Sequence, residues 1–306
     1  MQNNQSVQRP EFLSRIIDNN NEYDFQGSTH VHILREELHI GLLPYGGSSA
    51  SYSNFNVEIL GNDLEKAKFI LNSLTNYPET NVTRLVCNVV NALGNQLSYS
   101  GVIRHEIVES EHYFLSHIPE QSLYDLKYFF VQVVPKEQRE ASSKSYIFKK
   151  AKYVWTLTLP EKVCHWKKYR KILKGLAENT NITPPYVDPA GLAQSSIDFN
   201  FNAYNRETTK YIYKIINGIG GNQRESRPEM VTEFYLVHRI LRLNLSKILI
   251  REHIINELNA LFLRLNLDAK ITISELPTSK CVKELISDIE LDKKGLNEAL
   301  SIINIY

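Results

Sequence analysis

Apolar residues recur at steps of three and four along much of the chain, and this period predicts amphipathic helices. The longest such pattern covers residues 236–265, LVHRILRLNLSKILIREHIINELNALFLRL, which is nearly half Leu and Ile. Its apolar positions span a wider arc than the seam of a two-stranded coiled coil. The pattern therefore predicts one long helix, opened by Pro228, that the rest of the protein surrounds on most of its circumference.

Shorter segments with the same period predict further helices. Asn62 or Asp63 is suited to cap one of them, and Gly101 is suited to the left-handed end of the next. Pro160 is placed to open a third. The helices predicted in this way cover residues 62–74, 82–97, 160–177, 204–216 and 280–289.

Segments rich in β-branched and aromatic residues predict strands. In residues 29–43, polar and apolar residues first alternate and are then followed by a mainly apolar segment. This pattern favours one or two strands followed by a Ser-rich loop. Turns or prolines bound the segments 102–109, 128–134 and 153–159, which predict strands of a single sheet. KITISEL, residues 270–276, predicts one more short strand.

Together these elements predict an α+β fold. A small mixed or antiparallel sheet packed with amphipathic helices is followed by a mainly helical C-terminal part that contains the long central helix. The boundaries that we predict are a flexible leader over 1–22 with a short helix at Phe12–Ile17, an α+β domain over 23–177, a proline-rich loop or boundary over 178–196, and a mainly helical part over 197–306. The loop either separates independent domains or crosses one core.

Composition places the chain among globular proteins, with 42% hydrophobic and 23% charged residues in 306. The N-terminus lacks the pattern of a signal peptide, and no window approaches the uninterrupted apolar length of a spanning helix, so we expect a cytoplasmic protein without membrane contact. Cys87, Cys164 and Cys281 are odd in number and far apart, which fits reduced thiols and disfavours a cysteine-based zinc site.

Charge is distributed unevenly behind a net value of +1. Residues 1–135 carry 8 Lys/Arg against 15 Asp/Glu, residues 136–174 carry 12 against 3, and residues 175–306 carry 15 against 16. The middle segment, which we call the basic island, interleaves its cations with aromatic residues: Tyr146, Phe148, Tyr153, Trp155, Trp166 and Tyr169. Cations neutralise phosphates and aromatic rings stack on unpaired bases, so the island predicts a surface for nucleic acid.

Two other interpretations of the basic island stay open. In the first, the lysines near the end of the helix interact favourably with the helix macrodipole, and Tyr153 and Trp155 belong to the core. The acidic first 135 residues could also dock against the island, within the chain or between subunits.

A second candidate surface lies on the long helix. Helical spacing aligns a polar stripe of Arg239, Arg242, Ser246, His253, Glu257 and Arg264. This stripe is either a solvated face or a contact face toward a subunit or a phosphate backbone. The candidate residues for binding nucleic acid or a partner are therefore Lys149, Lys150, Lys152, Lys167, Lys168, Arg170, Lys171, Lys174, Arg239 and Arg242.

Evidence for catalysis is sparse in the sequence. His30 and His32 would share one face of a strand near His39, with Glu36 or Glu37 to complete a metal site, but such histidines more often serve packing or the surface. The glycines of GIGG, residues 218–221, follow a helix, which is the wrong context for a phosphate cradle. We therefore assign no catalytic residue, metal or cofactor.

These features favour a non-enzymatic assembly or scaffold protein that is oligomeric and binds itself, a partner protein or nucleic acid. The order of elements, a helix before three strands with proline-marked turns and then a loop, a long helix, a strand and a last helix, loosely resembles that of phage portal proteins. The first alternative is a nucleic-acid-binding component of a defence or mobile-element system. A metal-dependent hydrolase built on His30 and His32 is the second alternative.

Overall fold

A computed structural model describes residues 9–16, 28–43, 55–180, 210–221 and 232–304. It has the predicted α+β fold. The helices are α1 (Thr29–His39), α2 (Leu64–Ser73), α3 (Val82–Ser100), α4 (Arg139–Ser142), α5 (Trp166–Thr180), α6 (210–216), α7 (Glu233–Arg264), α8 (Ser279–Glu290) and α9 (Leu296–Asn304). The strands are β1 (Asn56–Leu60), β2 (Val102–Glu109), β3 (Tyr113–Ile118), β4 (Leu123–Asp125), β5 (Phe129–Val133), β6 (Tyr146–Lys150), β7 (Val154–Thr158) and β8 (Lys270–Ser274).

The strands form three antiparallel sheets with the orders β1-β8, β3-β2-β7 and β4-β5-β6. Our prediction that residues 102–109, 128–134 and 153–159 belong to a single sheet is wrong, because β5 lies between β4 and β6 while β2 pairs with β7. The sequence did not indicate β3, β4 or β6. Both edges of β5 are therefore paired with strands that are close to it in the sequence.

Several helix boundaries follow the local signals. Asn81 Oδ1 accepts a hydrogen bond from Arg84 N (3.0 Å) at the start of α3, and Gly101 ends that helix with a φ of 75°. A Cβ on Gly101 would lie 3.1 Å from the Tyr169 ring, so the close approach of α5 also requires glycine there. The helix predicted from Pro160 begins only at Trp166, because residues 161–163 form a turn. The predicted opening of α7 at Pro228 lies outside the described residues; the described helix begins after Thr232.

Residues 29–39 form helix α1, so our prediction of strands there is wrong. Ser28 Oγ caps the helix by accepting from Val31 N (3.4 Å), and the buried residues Val31, Leu34 and Leu38 lie on one helical face. The segment THVHILREELH fits both periods, and packing against α3 and α5 selects the helix. The predicted Ser-rich loop lies outside the described residues.

One hydrophobic core includes residues from both halves of the chain. Leu258 and Phe262 of α7 are fully buried in it together with residues of α1, α2, α3 and α5. Strand β1 pairs with β8 over its whole length, with Val57 opposite Ile273. The parts predicted as 23–177 and 197–306 therefore share a core, whereas residues 181–196 of the predicted boundary are not described.

Among the described helices, none has the length and apolar content to cross a bilayer.

Because the core is shared, we expect a destabilising substitution in α7 to lower the stability of the first half of the chain as well. Leu258→Ala removes a side chain with 0% exposure and should lower the free energy of unfolding by about 2–5 kcal/mol. Both tryptophans, Trp155 and Trp166, lie in the first half, so their fluorescence in urea reports on that half. The control is Leu263→Ala, because Leu263 is on the same helix and 77% exposed. An unchanged tryptophan transition in Leu258→Ala would mean that the two halves unfold independently.

Candidate functional site

Lys149, a predicted binding residue, points into the protein. Its ammonium group forms a salt bridge with the fully buried carboxylate of Glu106 and lies 3.1 Å from Glu11 Oε1. Burial lowers the pKa of Lys149, but the hydrogen bonds to Glu106 and Glu11 outweigh that effect and the net pKa is raised. Lys149 is therefore committed to an internal ion pair and is not available to a partner.

The same carboxylate holds the described part of the N-terminal segment. Glu106 accepts hydrogen bonds from the backbone N–H groups of Glu11 (3.0 Å) and Phe12 (2.9 Å). The Gln132 side chain accepts from Leu13 N (2.8 Å) and donates to Leu13 O (3.0 Å). Residues 11–13 of the predicted leader are thus hydrogen-bonded to two strands, and residues 12–16 do not form the predicted helix. The reason is that Phe12, 3% exposed, fills a small core under the β4-β5-β6 sheet.

Arg170 is also engaged inside the protein. Its guanidinium donates to Glu120 Oε2 (2.9 Å) and to the Ser100 carbonyl (3.1 Å). Glu120 also forms a salt bridge with Arg104, whose pKa is lowered by burial. Arg170 therefore links α5 to the residues that precede β4, and we withdraw it as a partner-binding residue.

The polar stripe of α7 is partly internal. Arg239 is 3% exposed, lies 3.8 Å from the centre of the Tyr213 ring, and has a pKa that burial lowers. Ser246 is buried and donates to the Ile219 carbonyl (2.9 Å), while Arg242 is half-buried. The interpretation of this stripe as a solvated or contact face is wrong for Arg239 and Ser246, because α6 and the residues after it cover them.

The remaining lysines predicted as binding residues are exposed, but they lie in two different parts of the fold. Lys167, Lys168, Lys171 and Lys174 are on α5. The other side of that helix is fixed by Tyr169, which is fully buried and donates to the Ser98 carbonyl (2.8 Å). Lys150 and Lys152 lie at the end of β6 and just after it.

Alternation along β6 separates its two faces. Ile147 and Lys149 point toward the small core, so Tyr146, Phe148 and Lys150 point outward. The antiparallel register places Phe148 opposite Val131 and Lys150 opposite Phe129, and Tyr124 of β4 lies on the other side of Val131. We call the outward side chains Tyr124, Phe129, Tyr146, Phe148 and Lys150 the aromatic face.

The rings of the aromatic face are open to solvent. Phe148 is 62% exposed and Tyr124 is 59% exposed, whereas Val131 between them is only 8% exposed because the two rings flank it. The Tyr146 and Phe148 ring centres are 6.4 Å apart. Contiguous exposed aromatic surface is uncommon on a protein that has no partner there, so this face is suited to binding.

Two further exposed lysines lie at the β4–β5 turn and just after β6, beside rings that are not part of the aromatic face. Lys127 lies 5.3 Å from the ring centre of Tyr128 at the β4–β5 turn, and Lys152 lies 4.7 Å from that of Tyr153 after β6. Within the described part of the chain, Lys127, Lys150 and Lys152 form no ion pair with a carboxylate. Exposed rings next to free ammonium groups can stack on bases while neutralising phosphates.

The basic island thus includes part of the candidate site, but not all of it. Tyr146, Phe148 and Tyr153 are exposed as a stacking surface requires, whereas Trp155 and Tyr169 are buried in the core. Tyr124 and Phe129 were missed because they precede the island. The sequence signal that could have found the face is the strict alternation of YIFKK, residues 146–150, which places two rings and a lysine on one side.

The histidine group that was predicted as a metal site does not assemble. On α1, His30 and His32 point in different directions; His32 Nε2 is 3.1 Å from Glu36, and His39 Nδ1 is 2.7 Å from the Arg35 carbonyl. No group of three or more metal-ligating side chains occurs among the described residues. The structure instead brings His105 and His117 together, with ring centres 5.5 Å apart. Burial, aided by His117, lowers the pKa of His105 to about 3.

Comparison of the chain with known protein families, with curated proteins and with solved structures finds no match. The candidate site therefore has to be interpreted from its own geometry.

The ion pair under the sheet yields a stability prediction. Glu106→Gln leaves Lys149 without its buried counter-charge and should lower the free energy of unfolding by about 3 kcal/mol in urea titrations. Adding Lys149→Met removes the unpaired charge, so the double variant should regain part of that loss. Glu109→Gln on the exposed end of β2 is the control. A Glu106→Gln variant as stable as the wild type would refute the internal role of the pair.

His105 yields a prediction about pH. Because its folded pKa lies below its ordinary value of 6.5, it contributes stability above pH 6.5 that is lost as the pH falls. His105→Phe cannot take up that proton, so between pH 7 and pH 5 it should lose about 2 kcal/mol less stability than the wild type. His112→Gln, at an exposed site, should follow the wild type. Equal losses in all three proteins would show that His105 is protonated normally in the fold.

Proposed function

We propose that this chain is a non-enzymatic protein that binds single-stranded nucleic acid on its aromatic face. The observation that carries the proposal is the outward row of rings on the β4-β5-β6 sheet with Lys150 among them. Stacking of bases on such rings tolerates any sequence, because every base has a π-face. Lys127, Lys150 and Lys152 supply the phosphate contacts.

A protein partner on the same face is the second candidate, and it corresponds to the assembly or scaffold function expected from the sequence. Exposed aromatic residues favour it, since they are enriched at protein interfaces. Lysine, however, is depleted at such interfaces, and Lys150 lies directly opposite Phe129 within the face. The unpaired lysines therefore favour a polyanion over a protein, and membership of a defence or mobile-element system stays part of the proposal.

Binding is best measured by fluorescence anisotropy with labelled single strands of DNA and of RNA, each about 20 nucleotides long. We expect the affinity to fall between about 50 and 200 mM salt, with a slope of log affinity on log salt near −2 if three lysines contact phosphates. A duplex should bind more weakly because its bases are already stacked. Absence of salt-dependent binding to either single strand would contradict the proposal.

Variants separate stacking from charge. Phe148→Ala should weaken single-strand binding by about 1–3 kcal/mol, which is about 5- to 150-fold. Lys150→Gln should reduce the salt slope by about 0.7. Tyr77→Ala is the matched control, because Tyr77 is 76% exposed and lies between α2 and α3. If light scattering instead finds an oligomer that Phe148→Ala dissociates, the face is a subunit interface and the nucleic-acid proposal is wrong.

A further inference from the structure

A cavity of about 290 Å³ lies away from the strands of the aromatic face, on three other elements. Its walls come from the residues that follow α1, the middle of α7, and α8 with residues just before and after it. Much of the lining is apolar: Leu42, Ile248, Leu276, Pro277, Val282 and Leu285. At about 30 Å³ for each water-sized group, the cavity has room for about ten such groups. This is the size of a small organic ligand.

Two cations from α7 also line the cavity. Lys247 and Arg251 are one helical turn apart, and burial lowers the pKa of both. Arg251 is 8% exposed and donates to the Pro277 carbonyl. Lys247 has no hydrogen bond or ion pair with any described residue. Its Nζ atom lies 3.6 Å from the position that a Cβ of Gly41 would take, so the glycine leaves space beside the ammonium group.

Two acidic residues, Glu284 and Asp288, also line the cavity, and each lies near a lysine. Asp288 lies 3.7 Å from Lys294, Glu284 lies 3.9 Å from Lys280, and Glu252 accepts from Ser279 N (2.8 Å). Glu37 of α1 raises the pKa of Lys247 through its charge, without forming an ion pair with it in the described structure. The lining therefore has three cations, Lys247, Arg251 and Lys294, against two carboxylates.

We infer that this cavity binds a small amphiphilic anion, with a carboxylate between Lys247 and Arg251 and an apolar chain against Leu42, Ile248 and Leu285. A carboxylate supplies the acceptor that the ammonium group of Lys247 does not find among the described residues. A neutral apolar ligand would fill the same volume but leave Lys247 unpaired. A cationic ligand would be repelled. The ligand class thus follows from charge as well as from shape.

Cys281 provides a direct reporter, because it lines the cavity and is exposed while Cys87 and Cys164 are buried. We would measure the rate at which a neutral maleimide modifies Cys281, by mass spectrometry of the intact chain, with octanoate, 1-octanol or octylammonium added. Octanoate should slow the reaction at concentrations at least about tenfold lower than octanol does, and octylammonium should not slow it. Failure of octanoate to protect Cys281, or equal protection by octanol, would overturn the inference.

A pair of variants locates the anion contact. Lys247→Met keeps the aliphatic stem and should weaken protection by octanoate about 10- to 100-fold, with little effect on protection by octanol. Lys283→Met, which removes an exposed lysine of α8 that does not line the cavity and forms no ion pair among the described residues, should leave protection unchanged. Thermal unfolding establishes that each variant is folded. Should Lys247→Met fail to fold, the three ligands tested on the unchanged chain still decide the question. An effect of Lys283→Met equal to that of Lys247→Met would contradict the assigned contact.

Discussion

The carboxylate of Glu106 is fully buried, and the arrangement of the β4-β5-β6 sheet depends on how it is neutralised. Lys149 supplies the counter-charge, and the backbone N–H groups of Glu11 and Phe12 supply further donors. An isolated charge in such a place would be strongly unfavourable. Because side chains alternate along a strand, fixing Lys149 inward fixes Tyr146, Phe148 and Lys150 outward. The orientation of β6 therefore determines both features: it turns Lys149 toward the internal ion pair and turns the rings toward solvent.

The long helix α7 has a different role. Its buried leucines and Phe262 join the two halves of the chain in one core. Several of its polar side chains are used within the protein. Arg239 lies against the Tyr213 ring, Ser246 donates to the Ile219 carbonyl, and Arg264 donates to the carbonyls of residues 151, 152 and 154. The same helix contributes Lys247 and Arg251 to the cavity beside α8. A helix that is surrounded on most sides can therefore still line a cavity with a cation, Lys247, that forms no ion pair with a described residue.

Local signals in the sequence were sufficient for α2, α3, α8 and β8. The helical period is clear in the three helices, and side chains of Asn81 and Thr278 cap α3 and α8. They failed at residues 29–39, where the pattern fits a strand and a helix equally and tertiary contacts decide. Strand β4 has only three residues, and β6, although its residues alternate, ends in two lysines, which are depleted in strands. The sequence does indicate a charged and aromatic segment at 136–174, but the charge pattern alone does not say which cations point inward. Lys149 and Lys150 are adjacent, yet one is in a buried ion pair and the other is exposed.

Photocrosslinking tests most directly the claim that this register presents a binding surface for unpaired bases. A single strand that contains photoreactive thymidine would be irradiated with the protein, and the crosslinked peptides would be identified by mass spectrometry. The account predicts adducts in the peptides that contain Tyr124, Phe129, Tyr146 and Phe148, with loss of the adducts at high salt. Crosslinks confined to α5 or α7, with none on these strands, would contradict it.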